Sequence, residues 1–370
     1  MPFPNLKNDM SKRELKIVLV YLGEKIPRYV ISNVNYIAKF FDFEVFLFIE
    51  QGAIFPTEIQ INDDINVKEL TPRENNVDKL FGHDVKFRKG YWLHTFKRLF
   101  QLLEIHRELG DEKRGLHVEA DMLIMPTFPF NEVLGEKLKW FRYNQVSDVA
   151  SLVYLPSIQE TKWLINQLYQ ELESDSMATD MSALKRIRDK NPDRIEIFHD
   201  LFANHELNKS VDVFDGLSLG MWLCGVDPRN TFGMSFIHEN NDYSPDGNAT
   251  LGYLLGESNF FLQNSQIILS SESNNQIIHC LHIHSKDEKI LSLEYLEGLK
   301  EYLTLSGTKK PIVVKFNIRI FSELILDNMR NQTFISYLRN LFRFLLKNDS
   351  STHYRFFTIL AFLIKSSRGK

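Results

Sequence analysis

Apolar residues in this chain fall first into a short β-branched run and then into a stripe of helical period, and the alternation repeats through its first half. Leu15 to Leu22 (LKIVLVYL) predicts a strand, since a continuous apolar run of this length suits a strand buried on both faces. Gly23 follows, then Pro27, whose fixed φ suits the first turn of a helix. Tyr29, Val30, Val34, Ile37, Ala38 and Phe41 recur at helical spacing, and Glu44 to Ile49 (EVFLFI) returns as a strand. Strand, helix, strand predicts a parallel sheet whose ligand crevice lies beyond the carboxyl ends of the strands.

Gln51 to Lys89 is polar and without sustained period, which predicts loops and short strands. Tyr91 to Leu109 predicts an amphipathic helix with Trp92, Phe96, Leu99, Phe100 and Leu103 on one face, and His94, Lys97 and Arg98 off it. A charged turn, Asp111 to Arg114, leads into LHVEADMLIMP at Leu116 to Pro126, a strand-like run carrying Glu119 and Asp121 before a Pro-rich loop. Helical patterns follow at Asn131 to Phe141, Ile158 to Glu173 and Met181 to Asp189, with a strand at Ser151 to Leu155 and a shorter helix at Phe198 to Leu207. Val213 to Pro245, rich in Gly, Asp, Asn and Pro, reads as loops around a short apolar piece, and loops of that size build binding faces. Ile277 to Lys286 (IIHCLHIHSK) is a further strand closing on His282, His284 and Lys286. From Asn331 the chain is basic and reads as two helices, Phe334 to Lys347 and Tyr354 to Lys365, with Asp349 the sole acid of that tail.

At 370 residues the chain is long enough for one large α/β domain over 1–290 with a helical extension over 291–370. A formal net charge of −4 and a pI near 6.3 give no global electrostatic case for nucleic acid, so an anionic ligand must be held by local groups. Cys224 and Cys280 alone exclude a disulfide framework or a four-thiolate zinc site and fit a reducing compartment. The amino-terminal residues carry no signal-peptide pattern and there is no run of about 18 apolar residues. The expectation is a soluble, cytoplasmic protein. The apolar aromatic side of its basic tail would also suit a bilayer's inner face or a partner subunit.

Carboxylates at i and i+2 at a strand end point the same way, and such a pair can hold a hard divalent cation that in turn holds a diphosphate. The alternation argument also places His117 on their side, behind the ligands, and puts His282 and His284 together on one face. An added imidazole suits Mn²⁺ better than Mg²⁺, and Lys286 follows at a spacing that reaches a leaving diphosphate. Each feature has a plainer reading: exposed turn acids, core histidines, a solvated lysine. Asp180 (ATDM) and Asp215 (VFDG) are the further carboxylates able to deprotonate an acceptor hydroxyl or to approach an anomeric carbon. Asp180 equally suits a helix N-cap, and Asp215 a turn. Arg98 is placed to contact phosphate or to be solvated. Tyr21 and Gly23, ending the first strand, sit where a nucleotide base and ribose would lie.

Taken in order, YLGEKIP, YWLHTFKRLF, HVEADMLI, FDGLSLGMWLCGVDPRN and LHIHSK resemble the nucleotide-sugar glycosyltransferases of the GT-A fold that assemble bacterial polysaccharides and glycoconjugates, over residues 15–290. The resemblance implies a Rossmann-like, mostly parallel sheet flanked by helices. It implies a Mn²⁺ or Mg²⁺ ion on Glu119 and Asp121, completed by His282 or His284, with Lys286 on the donor diphosphate and a glycan or glycoconjugate hydroxyl as acceptor. The chain departs from the commoner acid pair by carrying Glu119 first, whose longer arm could reach ribose instead. Asp121 is therefore the firmer ligand. Two rival readings remain open at this level: a metal-dependent hydrolase using His282, His284, Glu119 and Asp121, and a non-catalytic saccharide-binding protein of the same fold.

Overall fold

The computed structural model describes residues 14–70, 77–82, 91–143, 146–198, 212–216, 219–220, 234–237, 259–263, 266–270, 275–284, 286 and 312–316. The chain opens with β1 (Leu15–Tyr21), α1 (Arg28–Phe40), β2 (Glu44–Glu50), β3 (Ile65–Leu70), a single turn of helix α2 (Val77–Leu80), α3 (Tyr91–Leu109) and β4 (Arg114–Val118). It continues through β5 (Met122–Ile124), a short α4 (Phe130–Val133), β6 (Leu138–Arg142), β7 (Asp148–Leu155), α5 (Ile158–Ser174), α6 (Asp180–Lys190) and β8 (Ile195–Ile197). Among the described residues six more strands follow: β9 (Asp212–Phe214), β10 (Met234–Ile237), β11 (Asn259–Gln263), β12 (Gln266–Ser270), β13 (Asn275–His282) and β14 (Ile312–Phe316).

A seven-stranded sheet in the order β3-β2-β1-β4-β7-β6-β8 forms the frame. β1 to β4 pair in parallel, β7 is antiparallel to both β4 and β6, and β8 is parallel to β6. Only β7 therefore runs against the rest of that sheet. Both faces are covered, as the continuous apolar strands require. Leu15, Ile17 and Leu19 of β1 face a core with α1 and a second sheet, while Val18 and Val20 face another with α3, α5 and α6. The second sheet has the order β11-β12-β13-β5, with β9 parallel to β13.

The chain moves outward from β1 to β2 to β3 and then returns to the other side of β1 as β4. That reversal makes the β1–β4 boundary the topological switch point, where a crevice opens at the carboxyl ends of the strands. Val118 pairs with Leu19, so the chain leaves β4 into the acid segment close to the end of β1.

Predicted α3, α5 and α6 form nearly as expected, the last two with N-caps at Ser157 and Thr179. The expected helix over Asn131 to Phe141 does not form. After α4 the chain passes Gly135 and becomes β6, with Leu138 and Trp140 in one core and Phe141 in the other; this is strand alternation. Within the expected loops of Val213 to Pro245, β9 and β10 are strands. The extension over 291–370 is not wholly helical, because β14 pairs antiparallel with β10. The 290/291 boundary and both tail helices lie outside the described residues, as does the Phe198 to Leu207 helix beyond Phe198. Among the described residues, no helix is long and apolar enough to cross a membrane.

Candidate functional site

β4 stops at Val118, so Glu119, Ala120 and Asp121 form a turn rather than a strand end. The i, i+2 alternation expected for the two acids does not apply there, and backbone bracing aims them instead. Glu119 N donates to the Ser151 carbonyl at 2.9 Å, Met122 N to Glu119 O at 2.9 Å, and Ile283 N to Asp121 O at 2.7 Å. From α1, buried Asn33 donates its Nδ2 to the carbonyls on either side of Asp121, Ala120 at 3.1 Å and Met122 at 2.9 Å. Tyr36, one turn further along α1, donates to Ile124 O at 2.9 Å.

β5 continues from this turn and pairs with β13, so that Met122 lies opposite His282. The second sheet thereby delivers an imidazole to the acids across a long separation in sequence. His282 Nε2 lies 3.5 Å from Glu119 and 3.3 Å from Asp121, while its Nδ1 donates to the Gly216 carbonyl at 3.0 Å. That bond orients the ring and leaves Nε2 facing the carboxylates, the outer support expected of a ligating histidine. One atom from each of Glu119, Asp121 and His282 falls within 4.8 Å of the other two, a grouping that could hold a metal ion.

Asp215 anchors this corner. Its carboxylate accepts from the backbone N–H groups of Leu219 at 2.8 Å, Gly220 at 2.6 Å and His282 at 3.2 Å. Burial pushes its pKa up, against the N–H groups of Leu219 and Gly220. Both oxygens of the carboxyl expected to deprotonate an acceptor hydroxyl or to approach an anomeric carbon are thus engaged with backbone. Gly220 packs so closely on the His282 carbonyl that any side chain there would collide with it.

Each acid carries its own cation. Arg98 reaches from α3 to Glu119, and Lys286 pairs with Asp121, so the phosphate contacts expected of Arg98 and Lys286 are taken here by carboxylates. Burial opposes ionisation of Asp121, yet Lys286 and His282 hold it well below the usual carboxylate range. Burial would likewise strip the proton from His282, but Asp121 and then Glu119 outweigh it and raise its pKa to about 9. Asp180 stands behind Arg98. It is the first residue of α6 rather than its cap, which is Thr179, whose side chain accepts from Ser182 N. Burial pushes the Asp180 pKa up to about 6, against the attraction of Arg98.

His284 does not join the cluster. β13 ends at His282, and the chain turns as His284 N donates to His282 O at 2.9 Å, leaving the two rings edge to face at 5.7 Å. Strand alternation does not survive that turn. His117 is buried on β4 and burial lowers its pKa to about 3, with Arg98 adding to the effect. Tyr21 ends β1 and donates to Lys25 O at 3.1 Å, its ring lying over Gly23. Asn33, Gly216 and Gly220 were not legible as site residues. Only Asn33 carries a signal, a polar side chain among the buried apolar positions of α1.

Fold and site together define an α/β protein with an acid–imidazole cluster at the switch point of a mostly parallel sheet. No protein-family model matches the chain, and no curated protein matches it.

Proposed function

We propose that the protein is a divalent-metal-dependent glycosyltransferase of the GT-A type, moving a hexosyl group from a nucleoside-diphosphate sugar to a hydroxyl of a glycan or glycoconjugate. The observation that carries the reading is the convergence of Glu119, Asp121 and His282 at the switch point, with Lys286 beside them. Two carboxylate oxygens and one imidazole nitrogen are a donor set that suits Mn²⁺ better than Mg²⁺. An ion held there would neutralise charge building on the departing nucleoside diphosphate. Asp121 and Glu119 supply the anionic half of the site, and Gly216 keeps the His282 ring turned towards them. Asn33 holds the turn so that Asp121 keeps its aim. Lys286, able to swing on its flexible stem, would meet the outer phosphate. The end of β1, with Tyr21 and Gly23, offers the adjacent floor for base and ribose. Among the described residues, Asp180, buried against Arg98 with a raised pKa, is the carboxyl we propose for acceptor-side chemistry.

The test is release of free nucleoside diphosphate from UDP-, GDP- and CDP-linked sugars, with Mn²⁺ or with EDTA, on the wild type and Asp121→Asn. The expected result is slow, EDTA-sensitive turnover of one donor that disappears in a folded Asp121→Asn. Equal turnover by the variant would overturn the reading.

A further inference from the structure

Lys286 occupies the place where a cation would act. Its ammonium is ion-paired with Asp121, and Arg98 matches Glu119 in the same way. These pairs are shielded from solvent: the Arg98 and Glu119 side chains are 16% and 12% exposed, those of Lys286 and Asp121 22% and 10%. Among the described residues, each carboxylate of the cluster is already matched by a basic side chain, Glu119 by Arg98 and Asp121 by Lys286. A divalent ion arriving alone therefore meets repulsion from both basic side chains as well as attraction from both acids, in surroundings that screen neither well.

The backbone supports the same view. Lys286 has φ of 55°, a left-handed conformation uncommon for a long side chain, and its N–H closes a turn onto Ile283 O at 2.8 Å. Such strain persists where surrounding structure over-determines it, and it clusters at switching sites. The ammonium also lies 5.8 Å from the centre of the Tyr29 ring, on α1.

We infer that Lys286 is the resting occupant of the cation position, and that a divalent ion enters this centre together with a diphosphate, to which Lys286 transfers its charge. The ligand class rests on the function proposed above; the pairing of each acid with a basic side chain, which favours entry together with an anion, does not. Cation and diphosphate then bind with positive coupling. Removing the ammonium uncouples them, because Asp121 loses the side chain that competes with the ion and accepts the ion by itself.

The experiment is calorimetric titration of the purified full chain with Mn²⁺ alone, with pyrophosphate in EDTA, and with the preformed Mn²⁺–pyrophosphate complex, supported by the electron paramagnetic resonance signal of free Mn²⁺. Wild type is expected to take up the complex about tenfold more tightly than Mn²⁺ alone, within the usual range of coupling. Lys286→Met should bind Mn²⁺ alone about tenfold more tightly than wild type and lose the preference for the complex. Lys286→Asn, which tolerates a left-handed backbone, should behave likewise, and Lys286→Arg should keep the coupling. The inference is overturned if folded Lys286→Met and Lys286→Asn bind Mn²⁺ no more tightly than wild type, or if wild type binds it equally with and without pyrophosphate; in the second case the metal site itself stands. If no form of the protein binds Mn²⁺ or its complex, the metal reading fails and takes this inference with it.

Discussion

Gly220→Ala should damage the candidate metal centre without touching any of its donor atoms. A Cβ built on Gly220 lies 2.0 Å from the His282 carbonyl oxygen, 2.7 Å from its carbon and 3.0 Å from an Asp215 oxygen, whereas ordinary contact begins at 3.4 Å. The obstacle is backbone, so no side-chain rotation relieves it, and the two segments must separate by about 1.4 Å to regain normal contact. His282 is the last residue of β13 and bonds through its own N–H to Asp215, so the displacement falls on its ring. Metal donors are normally held to about 0.2 Å, and disturbing the support of a ligating histidine costs about 10–100-fold in affinity. Overpacking should in addition cost about 1–3 kcal/mol of stability. The assay is calorimetric uptake of the Mn²⁺–pyrophosphate complex, with urea melts run in parallel. Gly135→Ala is the control, since its nearest contact would be 3.6 Å from the flexible end of Lys139. A folded Gly220→Ala with wild-type uptake would refute the reasoning, because His282 would then be neither packed as described nor needed as a donor.

Two further predictions concern the helices behind the site. Asp180 binds its proton more tightly when folded, at about 6 against 3.8, so its ionisation costs stability increasingly as pH rises from 3.8 to about 6 and fully above that. Asp180→Asn should therefore be stabilised by roughly 3 kcal/mol near neutral pH, with the difference closing towards about pH 4; melts across that range that track the wild type would sink the idea. Asp148 is fully buried and accepts from Arg188 at 2.6 and 3.0 Å and from Trp140 Nε1 at 2.9 Å. Arg188→Met strands that carboxylate and should cost about 3–5 kcal/mol, much of it recovered in the Arg188→Met, Asp148→Asn double variant. A loss below about 1 kcal/mol in urea melts of the single variant would mean that solvent reaches Asp148.

The residue types of the site were readable because chemistry is local to a side chain: Glu119, Asp121, His282 and Lys286 each stood out within its own segment. Their aim was not readable. Alternation along a strand holds only while the strand lasts, and β4 and β13 stop at Val118 and His282. That is why Glu119 and Asp121 are held by a braced turn, and why His284 packs against the His282 ring without joining the donor group. Arg98 is a separate case: it falls off the apolar stripe of α3 and yet reaches Glu119, a partner that the helix's own period does not record.

By itself the sequence determined the elements marked by a continuous apolar run (β1, β2, β7) or by a sustained helical period (α1, α3, α5, α6), and with them an α/β fold built on buried strands. Period is a property of neighbouring residues and survives any arrangement of the rest. Only the tertiary structure decided that LKWFR would be strand β6 instead of helix, since its place between β7 and β8 supplies the hydrogen bonds. It likewise decided that β13, more than 150 residues beyond β5, would pair with it and carry His282 to the acids. Such pairings depend on loop closure and on which edges remain open once the main sheet has formed. No local pattern records either.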